Sequence, residues 1–404
     1  MSGNQSRGRG LQRAVGVTGI VVVALGAAVA TTGGVLAAVM ARTVVTPPVA
    51  RPDDTRVIAV DQAGGTVTLQ STPDSVLPGD YSFFFSAGAG HAQLGEVVTA
   101  TARTVTRRIL SVDQGDLNTA QQGRFSGWLY RGPEDLPYAF SNVIVPLEFG
   151  QGAPAWLIPA EKPADHWVIQ VHGRAVTRAE GLRAVPVFRS AGYTSLLISY
   201  RNDGDAPPSG DGRYSLGDTE WHDVDAAIEF AARHGARSIV LMGWSMGGAI
   251  VLQTATRTSH SQLLAGIVLE SPVIDWADVV AYQGVELRLP TFIARAAMEV
   301  MGRRWGGLIT GQSVPIDFRR LDFVDRADEL EHPMLLLHSN DDGFVPVTGS
   351  RQLATLRSDI VTFVPFGVAR HTKLWNYDRE RWNSTITTWL AELPHAAPPP
   401  AELS

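Results

Sequence analysis

The sequence predicts an α/β protein, a mostly parallel sheet of about eight strands with helices on both faces. Two observations carry this. First, short apolar runs alternate with helical patterns from about residue 150 onward: Trp167–Val171, Thr194–Ser199, Ser238–Met242, Gly266–Leu269, Met334–Leu337 and Val361–Val364. Strands that are apolar on both sides need cover on both faces, and the helices between them supply it. Second, Gly243-Trp244-Ser245-Met246-Gly247 lies between one of those strands and the helical stretch opened by Gly248-Ala249-Ile250. Strand, tight turn and helix is the setting in which G-x-S-x-G presents an exposed serine in a strained conformation. Side chains in place of the two glycines would strike the neighbouring strand or helix.

Composition narrows the function. The chain has 404 residues, room for two domains or one large domain with extensions, and a net charge of −6. No dense basic face is available to neutralise phosphates, which argues against a nucleic-acid partner. Cysteine is absent. That excludes disulfides, thiolate metal sites and a cysteine nucleophile.

In chain order, residues 1–13 read as a cytoplasmic tail carrying Arg7, Arg9 and Arg13. Residues 14–41 contain no charge and exceed the ~20 apolar residues that cross a bilayer. They are expected to form one transmembrane helix. The preceding arginines orient it with the N-terminus inside and everything after residue 42 outside the cell membrane. Val39-Met40-Ala41 would permit signal cleavage. An h-region is usually only about 7–15 residues, so an uncleaved anchor is preferred. Residues 42–55 form an exposed, proline-containing linker, and residues 56–149 a β-rich region of short strands. These include Val57–Val60, Thr66–Leu69, Tyr81–Phe85, Gly127–Tyr130 and Asn142–Val145. His91, in a Gly-rich loop, is expected at the surface.

The α/β domain spans residues 150–392, with helices at Glu180–Ala191, Thr219–His234, Met246–Thr258 and Asp378–Glu392. Residues 271–332 interrupt the alternation and are expected to form a helical cap over the site. The Pro- and Ala-rich tail at 393–404 is expected to be disordered. Glu220, His222 and Asp223 crowd together at a helix start, where acids complement the helix dipole more often than they bind metal. No metal or other cofactor is expected.

A serine hydroxyl needs a general base, and the base needs an orienting carboxylate. On a turn of this kind the partners follow in the order serine, acid, histidine. After Ser245 come His260, His332, His338, His371 and His395, and only His371 lies between the last strand and the final helix. The acid belongs after Met334–Leu337, where Asp341 and Asp342 compete. The oxyanion formed on attack needs aimed backbone N–H groups, one of them from Met246. Ser245, this acid loop, His371 and the pair His172-Gly173 together resemble the α/β-hydrolase superfamily over residues 150–392.

The resemblance implies a cap inserted after the sixth strand. It selects Asp342, which is followed by two residues and then Val345-Pro346, and it implies Arg174 as the second oxyanion donor, with His172 bracing the loop. Tyr200-Arg201-Asn202, Tyr214–Trp221 and His371–Asn376 look like a membrane-anchored actinobacterial serine hydrolase subgroup. The implied activity is hydrolysis of an acyl carbonyl, an ester first, on a small-molecule or lipid-like substrate. A prolyl-oligopeptidase-like peptidase is an alternative, although about 90 residues are too few for its propeller. A non-catalytic envelope scaffold or binding protein is another, and would have no need of all three residues. Oligomeric state is not legible.

Overall fold

A computed structural model describes residues 32–48, 51–162 and 165–393. Eight strands form the large sheet: β7 (Ser141–Pro146), β8 (Gly152–Ile158), β9 (His166–Val171), β10 (Thr194–Ile198), β11 (Ser238–Trp244), β12 (Leu264–Glu270), β13 (Met334–Ser339) and β14 (Val361–Phe366). Their order is β14-β13-β12-β11-β9-β10-β8-β7, with β8 antiparallel to both neighbours and the strands from β9 to β14 parallel. β11 is buried along its whole length, which explains its unbroken apolar run. The helices α2 (Val185–Ser190), α3 (Trp221–Arg233), α4 (Met246–Arg257), α8 (Val347–Leu356), α9 (Leu374–Tyr377) and α10 (Arg379–Glu392) pack in two layers around it. The parallel strands all end toward the same edge, where the loops after β9, β11, β13 and β14 converge.

Residues 55–126 form a separate closed barrel of six strands: β1 (Thr55–Asp61), β2 (Thr66–Gln70), β3 (Tyr81–Phe85), β4 (Gly90–Ala100), β5 (Thr104–Gln114) and β6 (Gln122–Ser126). Sequence patterning locates β1 to β3 but passes over β5. Its Arg107 points inward, fully buried, and donates to the carbonyls of Ser75 and Leu77 at 2.9 and 2.7 Å. Such a charge breaks the alternation that marks a half-buried strand. Gly127–Tyr130 is irregular rather than a strand. His91 is buried, not at the surface, and its ring nitrogens contact Asp113 and Ser82 at 2.8 Å each. The expected boundary at residue 150 also moves. β7 pairs with β8 in the large sheet, so residues 141–146 belong with the α/β unit.

The expected transmembrane helix needs correction at its C-terminal end. Its residues 14–31 lie outside the described residues, as do residues 1–13 and 394–404. Residues 32–45 are helical (α1), with Ala37, Ala41 and Val45 buried in the core of the α/β unit. A spacing of four residues puts them on one face of the helix. Protein, not lipid, covers that face. Among the described residues, no helix is long and apolar enough to cross a membrane.

Between β12 and β13 the chain forms α5 (Trp276–Glu286), α6 (Thr291–Met301) and α7 (Gly307–Thr310). This is the interruption expected at 271–332. It packs against the loop that carries Asp342. Tyr282 donates to the Asp342 carbonyl at 3.2 Å, and Gln283 to the Phe344 carbonyl at 2.8 Å.

Candidate active site

Ser245 sits between β11 and α4 with φ 53° and ψ −118°, a strained conformation for a residue with a Cβ. The flanking glycines make that turn possible. A Cβ on Gly243 would lie 2.5 Å from the Gly247 carbonyl oxygen, and one on Gly247 would lie 2.5 Å from the His172 carbonyl oxygen. The N–H of Ser245 donates to the Glu270 carbonyl on the adjacent strand at 3.1 Å, fixing the turn.

The loop after β14 brings His371 to this serine. Its Nε2 lies 3.0 Å from Ser245 Oγ, and its Nδ1 lies 2.8 Å from Asp342 Oδ2. Asp342 Oδ1 accepts from the N–H groups of Phe344 and Val345 at 2.8 and 2.9 Å. His338 also packs its Nε2 3.3 Å from Asp342 Oδ2, while its Nδ1 meets Ser350 Oγ at 2.7 Å. Burial would raise the Asp342 pKa, but His371 and His338 outweigh it and hold the carboxyl far below its ordinary value. An ionised Asp342 requires the Nδ1–H tautomer of His371, which leaves Nε2 free to accept from the serine hydroxyl. Asp341 is turned elsewhere, accepting from Ser339 Oγ at 2.6 Å and from the Arg370 N–H at 3.0 Å.

The oxyanion candidates lie beside Ser245. Gly173 donates its N–H to Glu180 at 2.7 Å, and Ala175 donates its own to Asp203 at 3.3 Å. Among the described residues no acceptor takes the N–H of Arg174 or of Met246. His172 is buried behind this loop. Its Nδ1 donates to the Gly173 carbonyl at 2.8 Å and its ring stacks on Tyr200 at 4.3 Å. Glu220 and Asp223 diverge to separate partners, the N–H groups of Ser215 and Gly217 for Glu220 and Arg201 for Asp223.

A model of the alpha/beta hydrolase family matches residues 168–402, more than half of the chain. The chain belongs to the alpha/beta hydrolase family. A second model, described as a domain of unknown function (DUF8805), matches residues 56–126, which is the barrel without its first residue. The uncharacterized protein YqkD of Bacillus subtilis is 21% identical over 252 residues, spanning 61% of this chain and 78% of that protein. Among solved structures, the esterase Pf2001 of Pyrococcus furiosus superposes with a TM-score of 0.51 at 17% identity, covering 65% of this chain and 95% of that one. That likeness is one of fold.

In this hydrolase the cavity at Ser245 is about 120 Å³. No residue of the 271–332 interruption lines it. Its walls come from the barrel's last strand and the segment after it (Phe125, Trp128), from Arg51 in the linker, and from Phe344 and Lys373. Sequence reading missed these residues, because none carries a pattern of its own. It also missed Arg183, which is buried 3.7 Å from Glu180 and 3.8 Å from Glu270. Arg183 donates to the Thr372 carbonyl at 2.8 Å, next to His371, and to the Gly127 carbonyl at 3.4 Å. Arg183→Met strands two buried carboxylates. It is expected to lower the unfolding free energy by about 3–5 kcal/mol, read by urea denaturation.

Two buried groups near the oxyanion loop make opposed contributions to stability. Burial holds His172 at about 4, against an ordinary 6.5. The unfolded chain therefore takes a proton that the fold refuses, and stability falls by roughly 3 kcal/mol as pH drops from 6.5 to 4. Burial raises Asp203 from 3.8 to about 6, despite hydrogen bonds from the Tyr214 hydroxyl and the Ala175 N–H. The fold takes that proton first, so stability rises by roughly 3 kcal/mol as pH drops from 6 to 4. The two nearly cancel in the native chain. Asp203→Asn should expose the histidine's loss on acidification, and His172→Phe the aspartate's gain. Urea melts at pH 6.5 and 4 measure both slopes, and equal slopes in all three proteins would refute the assignment.

Proposed function

We propose that the chain is a serine esterase acting on small acyl groups. The observation that carries this is the hydrogen-bonded series Ser245–His371–Asp342 at the head of an α/β-hydrolase sheet. Ser245 Oγ attacks the acyl carbonyl carbon while its proton passes to His371 Nε2. Asp342 holds the imidazole in place and stabilises the imidazolium. The oxyanion takes hydrogen bonds from the N–H groups of Met246 and Arg174. Collapse breaks the ester C–O bond, and the departing alkoxide takes the proton from His371. Water then attacks the acyl-enzyme, giving its proton to the same nitrogen, and Ser245 Oγ recovers it as the acid leaves.

An ester suits this site because an alkoxide leaves more readily than an amine anion. The 120 Å³ cavity favours a short acyl chain over the lipid-like one suggested by the apolar content of residues 271–332. The fold-level likeness to an esterase from Pyrococcus furiosus is compatible with this chemistry. We further propose that residues 14–31, which carry no charged side chain, anchor the enzyme with the hydrolase outside the cell membrane.

The native enzyme should hydrolyse p-nitrophenyl acetate and butyrate faster than the palmitate, and dipeptide amides not at all. A preference for the amides would favour the peptidase reading. Ser245→Ala should abolish both the activity and labelling by a fluorophosphonate. Asp342→Asn should lower kcat by about 10⁴-fold, since the wrong histidine tautomer is then stabilised. An Asp342→Asn enzyme within tenfold of native would overturn the role given to that carboxylate.

A further inference from the structure

α1 is buried along one side only. Its opposite side exposes Val35 and Val39, each at 58%. Next to it is the tip of the 271–332 insertion. Phe292, at the start of α6, lies beside Gly33, where an added Cβ would be 2.8 Å from its ring. Arg42 of α1 donates to the Ile309 carbonyl of α7 at 2.8 Å. Contact at both ends of α1 therefore places it beside the tip, whose exposed apolar residues are Leu287, Phe292, Trp305 and Leu308, the last 93% exposed. Exposure of this kind on two adjoining elements exceeds the scattered apolar residues of an ordinary surface. These large side chains contribute nothing to the Ser245 cavity, so substrate binding does not account for them.

Charge supplies the second observation. Arg288, Arg295 and Arg304 are exposed on the same tip, and none of them forms an ion pair among the described residues. A large aliphatic and aromatic surface rimmed by unpaired arginines suits the boundary between acyl chains and anionic headgroups. The third observation is position. Residues 14–31 of the sequence carry no charge, and the chain they precede enters the fold at this surface.

We infer that α1 and the 271–332 tip form a bilayer-docking face, seated in the headgroup region of the membrane that residues 14–31 enter. The insertion is then a second membrane contact that holds the hydrolase in one orientation. This inference rests on the anchor reading above, and the experiment separates the two.

The chain has no cysteine, so single thiols report single positions. Leu308→Cys and Leu287→Cys, with Leu110→Cys on the barrel and Leu356→Cys on α8 as controls, are labelled with an environment-sensitive nitrobenzoxadiazole dye. Each full-length chain is reconstituted into vesicles of phosphatidylglycerol and phosphatidylethanolamine. The labels at 308 and 287 should shift to the blue and lose roughly half or more of their emission to headgroup-region nitroxide lipids, as expected for side chains about 5–10 Å deep. The controls should do neither. Vesicles that float without the protein would overturn the anchor and this inference together. Flotation with wet labels at 308 and 287 would overturn the docking face alone. Blue-shifted labels that lipid nitroxides cannot quench would overturn it too, and assign the face to a second copy of the chain.

Discussion

A guanidinium held between two carboxylates, with almost no access to water, is the contact on which the site depends. Arg183 lies within 3.8 Å of both Glu180 and Glu270. Glu180 accepts the Gly173 N–H and fixes the oxyanion loop. Glu270 accepts the indole N–H groups of Trp244, next to Ser245, and of Trp382 in α10, at 3.0 and 2.9 Å. The guanidinium itself takes the Thr372 carbonyl beside His371. Three loops that must converge on one acyl carbon are thus tied to one buried charge. A buried ion cluster of this type is weak evidence for stability but fits a role in fixing geometry, since each partner is costly to leave alone. The strained φ of Ser245 is tolerable only with such support.

The same charge reaches the barrel through the Gly127 carbonyl. The barrel is therefore part of the site. Its loop 72–80 docks on the histidine loop. Asp74 pairs with Arg370 and Lys373, and Asn376 donates to the Asp80 carbonyl at 2.8 Å. Phe125 and Trp128 then stand against Ser245 as cavity walls. The wall of the Ser245 cavity thus comes in part from the small N-terminal domain and not from the 271–332 insertion.

What the sequence made legible was local. The serine turn, the apolar strands and the single histidine between last strand and last helix each follow from neighbours in the chain. Asp342 was separable from Asp341 only by the family's Val-Pro spacing, and the two are indeed turned to different partners. The illegible parts are contacts between distant residues. Arg107 and Arg183 carry no pattern of their own, and apart from Glu180 the carbonyls and carboxylate named around them come from more than twenty residues away. β7 looked like a member of the neighbouring β-rich region because an antiparallel edge strand carries no mark of the sheet it joins. α1 failed for another reason. An uncharged run of Ala, Val, Leu and Gly satisfies lipid and protein alike, and only the four-residue spacing of Ala37, Ala41 and Val45 hints at a packed face.

The end of α1 also meets the loop beside Ser245. Arg174 lines the cavity at Ser245 and lays its guanidinium on the end of α1. The guanidinium donates to the carbonyls of Val44, Thr43 and Thr46 at 3.2, 2.7 and 3.0 Å. The last carbonyls of a helix have no partner within it, and its dipole is negative there, so a cation is well placed. The guanidinium also lies 5.1 Å above the Tyr214 ring, whose hydroxyl donates to Asp203, the residue that accepts the Ala175 N–H. The segment that could offer an N–H to the oxyanion is therefore clamped from both sides, by α1 and by Asp203. α1 is therefore hydrogen-bonded to the same loop that stands beside Ser245.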